Sequence, residues 1–447
     1  MKSFPAGGVH PPQNKLTAGH GIEKLPIPSS VVIPVSQHIG APAEIIVQKG
    51  DIVKTGQLIA QSKGFVSTNI HSSVSGKISK IDTVIDPQGF KQPAVYIDVE
   101  GDEWLPSINR DTGIDSNVVL TADEIINRCQ EAGLVGMGGA SFPIHVKLKI
   151  PEGKKCDVLL INGAECEPYL TNDHRMMLEY GEEIIIGVSI MMKALKVDKA
   201  MIGIESNKPD AIEHLKKISS RFLGITVHAL KVKYPQGAEK QLIKSLINRE
   251  VPLGRLPIDV NTVVQNISTA YAVYEAVQKN KPLFERVVTV TGKSVKNPGN
   301  YMVRIGTSIQ NLIDAAGGLP EDTGKIVVGG PMMGKALKNL SAPVVKGTSG
   351  IVLFQEIESN RVEESPCIRC GKCVSACALK LEPYLMARLV EKGLYERAEE
   401  EGVANCCECA SCHYICPAGR PLLDYLRLGK QTVLRMARER AAKKQAI

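Results

Sequence analysis

The sequence predicts a multidomain α/β protein: a β unit, an α/β layer, a second β-rich module and a helical, cysteine-bearing unit. Three observations carry that prediction. The first hundred residues are short Val/Ile runs broken by Gly and Pro, the pattern of short strands and turns. From about Ala132 to about residue 250, apolar strand-like runs alternate with helical periodicity, which implies a largely parallel sheet. Nine of the twelve cysteines fall between Cys367 and Cys416. At 447 residues the chain has room for several independent cores.

Taken in order, residues 1–110 form the β unit. Val47 to Ala60 (VQKGDIVKTGQLIA) and Ile70 to Ile81 (IHSSVSGKISKI) each place a Gly turn between β-branched strands. This pattern resembles the lipoyl-like barrel-sandwich fold, whose cofactor rides on a hairpin lysine. Lys63 is the nearby lysine but lacks the usual flanking residues, so the unit reads as an unmodified scaffold. Residues 115–285 read as a Rossmann-like α/β domain. Thr121-Ala-Asp-Glu124 is a capping box opening a helix to about Ala132. Val158–Ile161, Ala200–Ile204 and Ile225–Leu230 are its buried strands, with helices from about 175, 209 and 237. Residues 286–345, with VVTVTG and IGTSIQNLIDAAGGL, suggest strands around one helix, as in a small β-grasp module of SLBB type. Residues 360–428 are an α-helical ferredoxin-like unit, with one helix expected over Glu382 to Glu401, and 429–447 a basic C-terminal helix whose default state is solvated.

Composition narrows the function. The net charge of +7 is concentrated at the C-terminal end, where eight basic residues from Arg420 onward stand against Asp424 and Glu439. The remainder is nearly neutral, so no nucleic-acid footprint is indicated. Met1 is followed by no apolar h-region, which reads as no secretory signal. The longest apolar stretch, Ile184 to Met192, is nine residues, too short to span a bilayer. Clustered cysteines without an export signal point to metal in a reducing cytoplasm rather than to disulfides.

The cysteine spacing is specific. Cys367-x2-Cys370-x2-Cys373-x3-Cys377 is repeated as Cys406-x2-Cys409-x2-Cys412-x3-Cys416, followed by Pro417. Three thiolates two residues apart wrap one loop around a cubic cluster. The fourth, at the next helix, serves the other cluster in two-cluster ferredoxins. One [4Fe–4S] cluster then takes Cys367, Cys370, Cys373 and Cys416, and the second takes Cys406, Cys409, Cys412 and Cys377. Zinc sites group ligands in pairs instead. Cys407 lies off the spacing and reads as a bystander.

A second feature is the loop Gly133-Leu-Val-Gly136-Met-Gly138-Gly139-Ala140-Ser-Phe142-Pro143. Consecutive glycines let backbone N–H groups converge on a phosphate or a flavin ring. A helix precedes this loop and Phe-Pro follows, so the ordinary dinucleotide fingerprint does not apply; a tight packing turn is the alternative. Asn162-Gly-Ala-Glu165-Cys166-Glu167-Pro168 follows the strand DVLLI. It sets two carboxylates at the strand's carboxyl end, where α/β sheets bind ligands. These carboxylates either accept hydrogen bonds from a ribose or nicotinamide, or cap the helix near Arg175.

These residues resemble the flavin domain of the NADH-oxidising subunit of respiratory complex I. Gly136 to Lys147 is similar to its flavin loop, with Lys147 in register. Asn162 to Asp173, Tyr234-Pro-Gln-Gly237-Ala-Glu239 and Val264-Gln-Asn266-Ile-Ser-Thr269 are similar to its further binding segments, while Met137, Ala164 and Ala238 depart from them. A resemblance along nearly the whole chain is to the C subunits of Rnf complexes, which are membrane-bound, ion-translocating ferredoxin:NAD+ oxidoreductases. It rests on FPAGGVHPPQNK, IPVSQHIGAPAE, IHSSVSG, GMGGASFP, NGAECEPYLTNDHR, YPQGAEKQLI, VGGPMMG and the two cysteine runs.

The resemblance implies FMN, two [4Fe–4S] clusters and NAD(H) on a peripheral subunit at the cytoplasmic face of the cell membrane. It implies membrane and peripheral subunits as partners, among them a ferredoxin-like iron–sulfur subunit. FMN would be held by Gly136, Gly138, Gly139, Ala140, Phe142, Lys147, Asn162, Glu165, Glu167, Glu239 and Asn266, with Glu165 and Glu239 in the catalytic pocket. Two rivals stand beside this reading: a soluble flavin/iron–sulfur reductase like the cobalamin reductases, and an electron-transfer scaffold that has lost nucleotide binding. Docking of the basic C-terminal helix to anionic lipid or to membrane subunits is a further expectation.

Overall fold

The computed structural model describes residues 1–445. Alternating Val and Ile side chains build the N-terminal β unit from two facing sheets. One orders Ser30–Pro34, Lys91–Val99, Gly76–Ile85 and Ile52–Val53, and the other Glu44–Ile45, Leu58–Gln61 and Ile70–His71. Val31, Ile33, Val53, Ile59, Ile70, Ile78, Val95 and Ile97 interdigitate between them, as period-two strands require. Lys63 stands exposed at a hairpin, ion-paired with Glu44 at 3.2 Å.

Within the expected 1–110 unit, the first two dozen residues run outside the two facing sheets. Ile22–Lys24 pairs in parallel with Gly299–Arg304 in the β-grasp sheet. Upstream, Lys2 bridges to Leu230 and Val9 to Tyr234 along the α/β domain. The β-grasp sheet runs in the order Ile22–Lys24, Gly299–Arg304, Glu285–Thr291, Gly350–Gln355, Thr323–Val328, Lys335–Ala336. Its interior strand Gly350–Gln355 thus lies beyond residue 345, the end expected for this module. One helix, Ile309–Ala315, packs on it.

In the α/β domain the capping box forms as read: Thr121 accepts from the Glu124 amide, and Glu124 accepts from the Thr121 amide, at the start of Ala122–Glu131. The sheet is wholly parallel, in the order Ile225–Leu230, Ala200–Glu205, Val158–Gly163, Thr262–Asn266. The chain moves to one side of Val158–Gly163 and then returns to the other. This creates a topological switch point at the carboxyl ends of Val158–Gly163 and Thr262–Asn266, where such sheets bind ligands. Leu159, Ile161 and Val263 face the helices Gly181–Leu195 and Ile267–Gln278, while Leu160 and Val264 face Glu239–Ile247. Both faces are covered, which fits the near-continuous apolar runs of these strands.

The helical unit differs from expectation in two ways. Glu382 to Glu401 is two helices, Pro383–Glu391 and Tyr395–Glu400, because Gly393 adopts φ +71° and turns the chain between them. The basic C-terminal segment continues one helix, Leu422–Gln445, with no break at 428/429. It is not simply solvated: Leu422, Leu426 and Val433 are buried against Met386, Leu389, Val390 and Val403. Among the described residues no helix is long and apolar enough to cross a membrane.

Candidate functional site

The glycine loop stands over the switch point. An added Cβ at Gly138 would lie 3.2 Å from Asn266 Cβ, whereas Gly139 at φ +124° has open space around it. The loop closes on itself through the Gly136 amide, which donates to the Phe142 carbonyl at 2.9 Å. It is tied to the following helix by the Met137 amide, which donates to Thr269 Oγ1 at 3.0 Å. From outside, the Ile39 amide of the β unit donates to the Ser141 carbonyl, and Gly347 of the β-grasp module lies against Ser141. Gly138, Gly139 and Ala140 remain exposed. Their small residues leave a cradle open toward the carboxyl edge of the sheet.

Two partners converge beside this cradle. Lys147, on the short helix Ile144–Leu148 after the loop, donates to Glu239 Oε1 at 2.9 Å and to the Val264 carbonyl at 3.1 Å. Asn162 donates to the Gly237 carbonyl at 2.8 Å, holding the Tyr234–Glu239 turn against the first strand. Sequence-distant segments thus meet as the flavin-loop resemblance implies. Buried Gln265 Nε2, one residue before Asn266, has no hydrogen-bond partner among the described residues. A buried donor left this way is costly unless a bound group or water meets it. The open glycines, a lysine at the edge and the parallel-sheet crevice fit a phosphate-bearing flavin.

Three residues expected at the cofactor also bond to the protein's own groups. Glu165, at φ 45°, accepts from the amides of Asp173 and His174 at 2.7 and 3.3 Å and so caps the helix Asn172–Glu179. Burial pushes its carboxyl up to about 7, although the ammonium of Lys15 lies near. Asn266 caps the helix Ile267–Gln278 through Oδ1 and donates to Asp173 Oδ2 at 2.6 Å. Glu167 accepts from Tyr234 Oη at 3.2 Å and from the Met332 and Met333 amides, both at 3.0 Å. It therefore clasps the VGGPMMG turn of the β-grasp module, and an added Cβ at Gly330 would lie 2.2 Å from Glu167 Oε2. Of the two carboxylates placed in the catalytic pocket, only Glu239 faces the cradle side through Lys147.

Lys15 closes the FPAGGVHPPQNK segment, to which sequence reasoning assigns no role at the site. Its ammonium donates to the carbonyls of Glu165, Glu167 and Leu170 at 2.8, 2.9 and 2.6 Å, pinning the acidic turn. Burial pulls its pKa down to about 8. A cavity of about 160 Å³ opens beside it, lined by His10, Lys15, Cys166, Glu205, Lys233 and Tyr234 among others. This cavity lies at the acidic turn and not at the glycine loop.

The two cysteine runs fold alike. In the first, Arg369 and Gly371 flank Cys370 at φ 57° and 73°; in the second, Glu408 and Ala410 flank Cys409 at φ 58° and 63°. Short helices, Lys372–Ala376 and Ser411–Tyr414, follow each. Left-handed residues on both sides of the middle cysteine curl each loop around a common centre. Cys377 lies within electrostatic reach of Cys406, Cys409 and Cys412, and Cys373 within reach of Cys416. Among the described residues no three His, Cys, Asp or Glu side chains meet at a single-ion point. Spread thiol sets of this kind suit a multi-iron cluster, whose ligands bind separate corners. Cys367 and Cys370 are exposed, whereas Cys377, Cys406, Cys409 and Cys412 are half-buried or buried.

Known proteins share this layout. A family model described as the Nuo51 FMN-binding domain matches residues 129–275, the RnfC barrel sandwich hybrid domain residues 3–102, and the SLBB domain residues 287–336. Two structures of an NAD+-reducing [NiFe]-hydrogenase, H2-reduced and air-oxidised, share the fold over 71% and 72% of this chain. Their TM-scores are 0.51 and 0.52 at 20% identity, and the chain spans 63% and 65% of theirs. The C subunit of the proton-translocating ferredoxin:NAD(+) oxidoreductase complex of Clostridium ljungdahlii is 50% identical over 90% of this chain and 87% of its own length. Its counterpart in the Na(+)-translocating complex of Acetobacterium woodii is 42% identical over 97% and 98%. The C subunit of the ion-translocating oxidoreductase complex of Rhodobacter capsulatus is 40% identical over 95% and 82%. With such identity along nearly the full length, and with the flavin, sandwich and SLBB domains in order, the chain belongs to the family of C subunits of ion-translocating ferredoxin:NAD(+) oxidoreductase complexes.

Proposed function

We propose that this protein exchanges electrons with NAD(H) at an FMN held under the glycine loop and relays them through two [4Fe–4S] clusters to other subunits of its complex. When bound, the flavin supplies two-electron exchange with the nicotinamide and one-electron exchange with the clusters. The chain's own residues supply the rest. Gly138, Gly139 and Ala140 admit the flavin's backbone contacts, and Lys147 offers a cation at its edge, steered by Glu239. Glu165 and Asn266 act from behind the site by capping the helices that shape it. Glu167 joins the flavin domain to the β-grasp turn.

The observation that carries the relay is the placement of the cysteine sets. The set around Cys377 is turned inward: Tyr234 of the flavin domain shares an apolar cluster with Ala376 and Ala410, against which Cys166 and Cys409 pack. Gln241 Nε2 donates to the Ala378 carbonyl, one residue past Cys377, at 3.2 Å. The other set includes exposed Cys367 and Cys370. This supports an order of flavin, the Cys377 set, the Cys367 set, then a partner protein. A peripheral place in a membrane complex fits a chain whose described helices do not span a bilayer; placement on the cytoplasmic face belongs to this proposal.

The test is an anaerobic NADH titration of the purified protein with measured flavin, iron and sulfide. One FMN and eight irons per chain, with both chromophores bleached by NADH, is the expected result. Full cofactor content without bleaching would favour the scaffold that has lost nucleotide binding.

A further inference from the structure

The segment Ser3–His10 runs across a seam that joins the flavin domain to the inward cysteine set. It is held on the flavin side by paired bonds: the Val9 amide donates to the Tyr234 carbonyl at 2.8 Å and the Tyr234 amide to the Val9 carbonyl at 2.9 Å. Lys2 Nζ donates to the Leu246 carbonyl at 2.7 Å, and Phe4 is buried beneath the Lys233 ammonium, 4.2 Å from the ring centroid. On the cluster side the Gly8 amide donates to the Ala376 carbonyl at 2.8 Å. Val9, Tyr234, Met332, Ala376, Ala410 and Leu423 close one apolar cluster here, with Cys166 and Cys409 packed against it.

Two glycines make the approach possible. An added Cβ at Gly7, φ +72°, would lie 2.5 Å from the backbone of Cys377 and Ala378. One at Gly8, φ +91°, would lie 2.7 to 3.0 Å from Lys233, the Tyr234 carbonyl and Phe4. Positive φ and backbone contact each select against a side chain. The segment touches backbone on both sides of the seam, beside the direct Gln241–Ala378 bond, and so takes part in setting how near the two domains come.

We propose that residues 3–10 are a positioning strap that fixes the separation between the flavin domain and the cysteine set containing Cys377. This rests on the relay reading above. Electron transfer falls steeply with edge-to-edge distance, so a strap thickened by one methyl slows passage across the seam. Chemistry at either cofactor is left intact.

The test uses full-length Gly7→Ala, with Gly19→Ala as control, since Gly19 has nothing within 4 Å of an added Cβ. Val9→Ala is the second variant, loosening the seam without adding bulk to it. FMN and iron are quantified first, then flavin and cluster bleaching by NADH are followed separately in stopped flow. The expected result is flavin bleaching at the wild-type rate in all three, with cluster bleaching slowed at least tenfold in G7A and severalfold in V9A. Hydrogen exchange at residues 374–381, measured without NADH, should rise in G7A and V9A and stay unchanged in G19A. Cluster bleaching at the wild-type rate in G7A and V9A, with unchanged exchange, overturns the strap while leaving the NADH–flavin reading standing. Failure of NADH to bleach the flavin of the wild-type protein overturns that reading instead.

Discussion

Replacing Glu167 with Gln tests the clasp between the flavin domain and the β-grasp turn. Burial pushes the Glu167 carboxyl from 4.5 up to about 7, overriding the hydrogen bonds from Met332, Tyr234 and Met333 that favour its charge. Because the folded value is raised, the neutral carboxyl is the form the fold prefers. The stability this contributes is fully present below pH 4.5 and is lost as pH rises through about 7. At 1.36 kcal/mol per unit, the swing is about 3 kcal/mol. Gln has no such dependence. It does turn an NH2 group toward one of the two backbone donors, which costs about 1–3 kcal/mol at every pH. E167Q should therefore be less stable than wild type at pH 5, and the deficit should shrink by up to about 3 kcal/mol by pH 9. Urea unfolding of both proteins across that range reads the difference, with groups common to both cancelling. A deficit that grows with pH would refute the reasoning, because it would mean that the fold stabilises the carboxylate.

Other outcomes follow from the same geometry. Gly139→Val fills open space in the cradle at φ +124°; it should weaken FMN binding at least tenfold by flavin-fluorescence titration, about 1.4 kcal/mol, with iron content unchanged. Unaltered FMN affinity would remove the loop from the site. Val433→Asp places a carboxylate in the core of the cluster unit, where Val433 is 1% exposed; a loss of about 4 kcal/mol is expected from apolar burial and charge desolvation together. The neighbouring Leu434→Asp, at 41% exposed, should change stability by less than about 0.5 kcal/mol, and equal thermal shifts in the two would contradict the packing of this helix.

Much of the fold is legible locally. The capping box at Thr121, the apolar runs of the parallel strands and the repeated cysteine spacing each encode their structure within a dozen residues. The failures share a physical cause, since their partners lie far away in sequence. Nothing in FPAGGV announces that Val9 pairs with Tyr234, so the strap's partners are invisible locally. Glu165 and Glu167 sit two residues apart at a ligand-binding edge, yet one turns to cap a helix and the other to hold a distant turn. That division depends on Asp173 and Met332, not on the acidic motif itself. The break inside Glu382–Glu401 does have a signal, Gly393, which the helical period around it outweighs. For the C-terminal helix the apolar spacing is visible, but the surface that buries Val433 is not.

The order of the relay is tested most directly by comparing Cys377→Ala with Cys416→Ala in rapid-freeze EPR after a single NADH turnover. Each variant is expected to lose the cluster of the opposite cysteine run. In C377A the remaining cluster should stay oxidised while the flavin is reduced, because the inward step is missing. In C416A the remaining cluster should be reduced as in wild type. Reduction of the remaining cluster in C377A but not in C416A would contradict the order, and loss in each variant of its own run's cluster would contradict the crossed ligation.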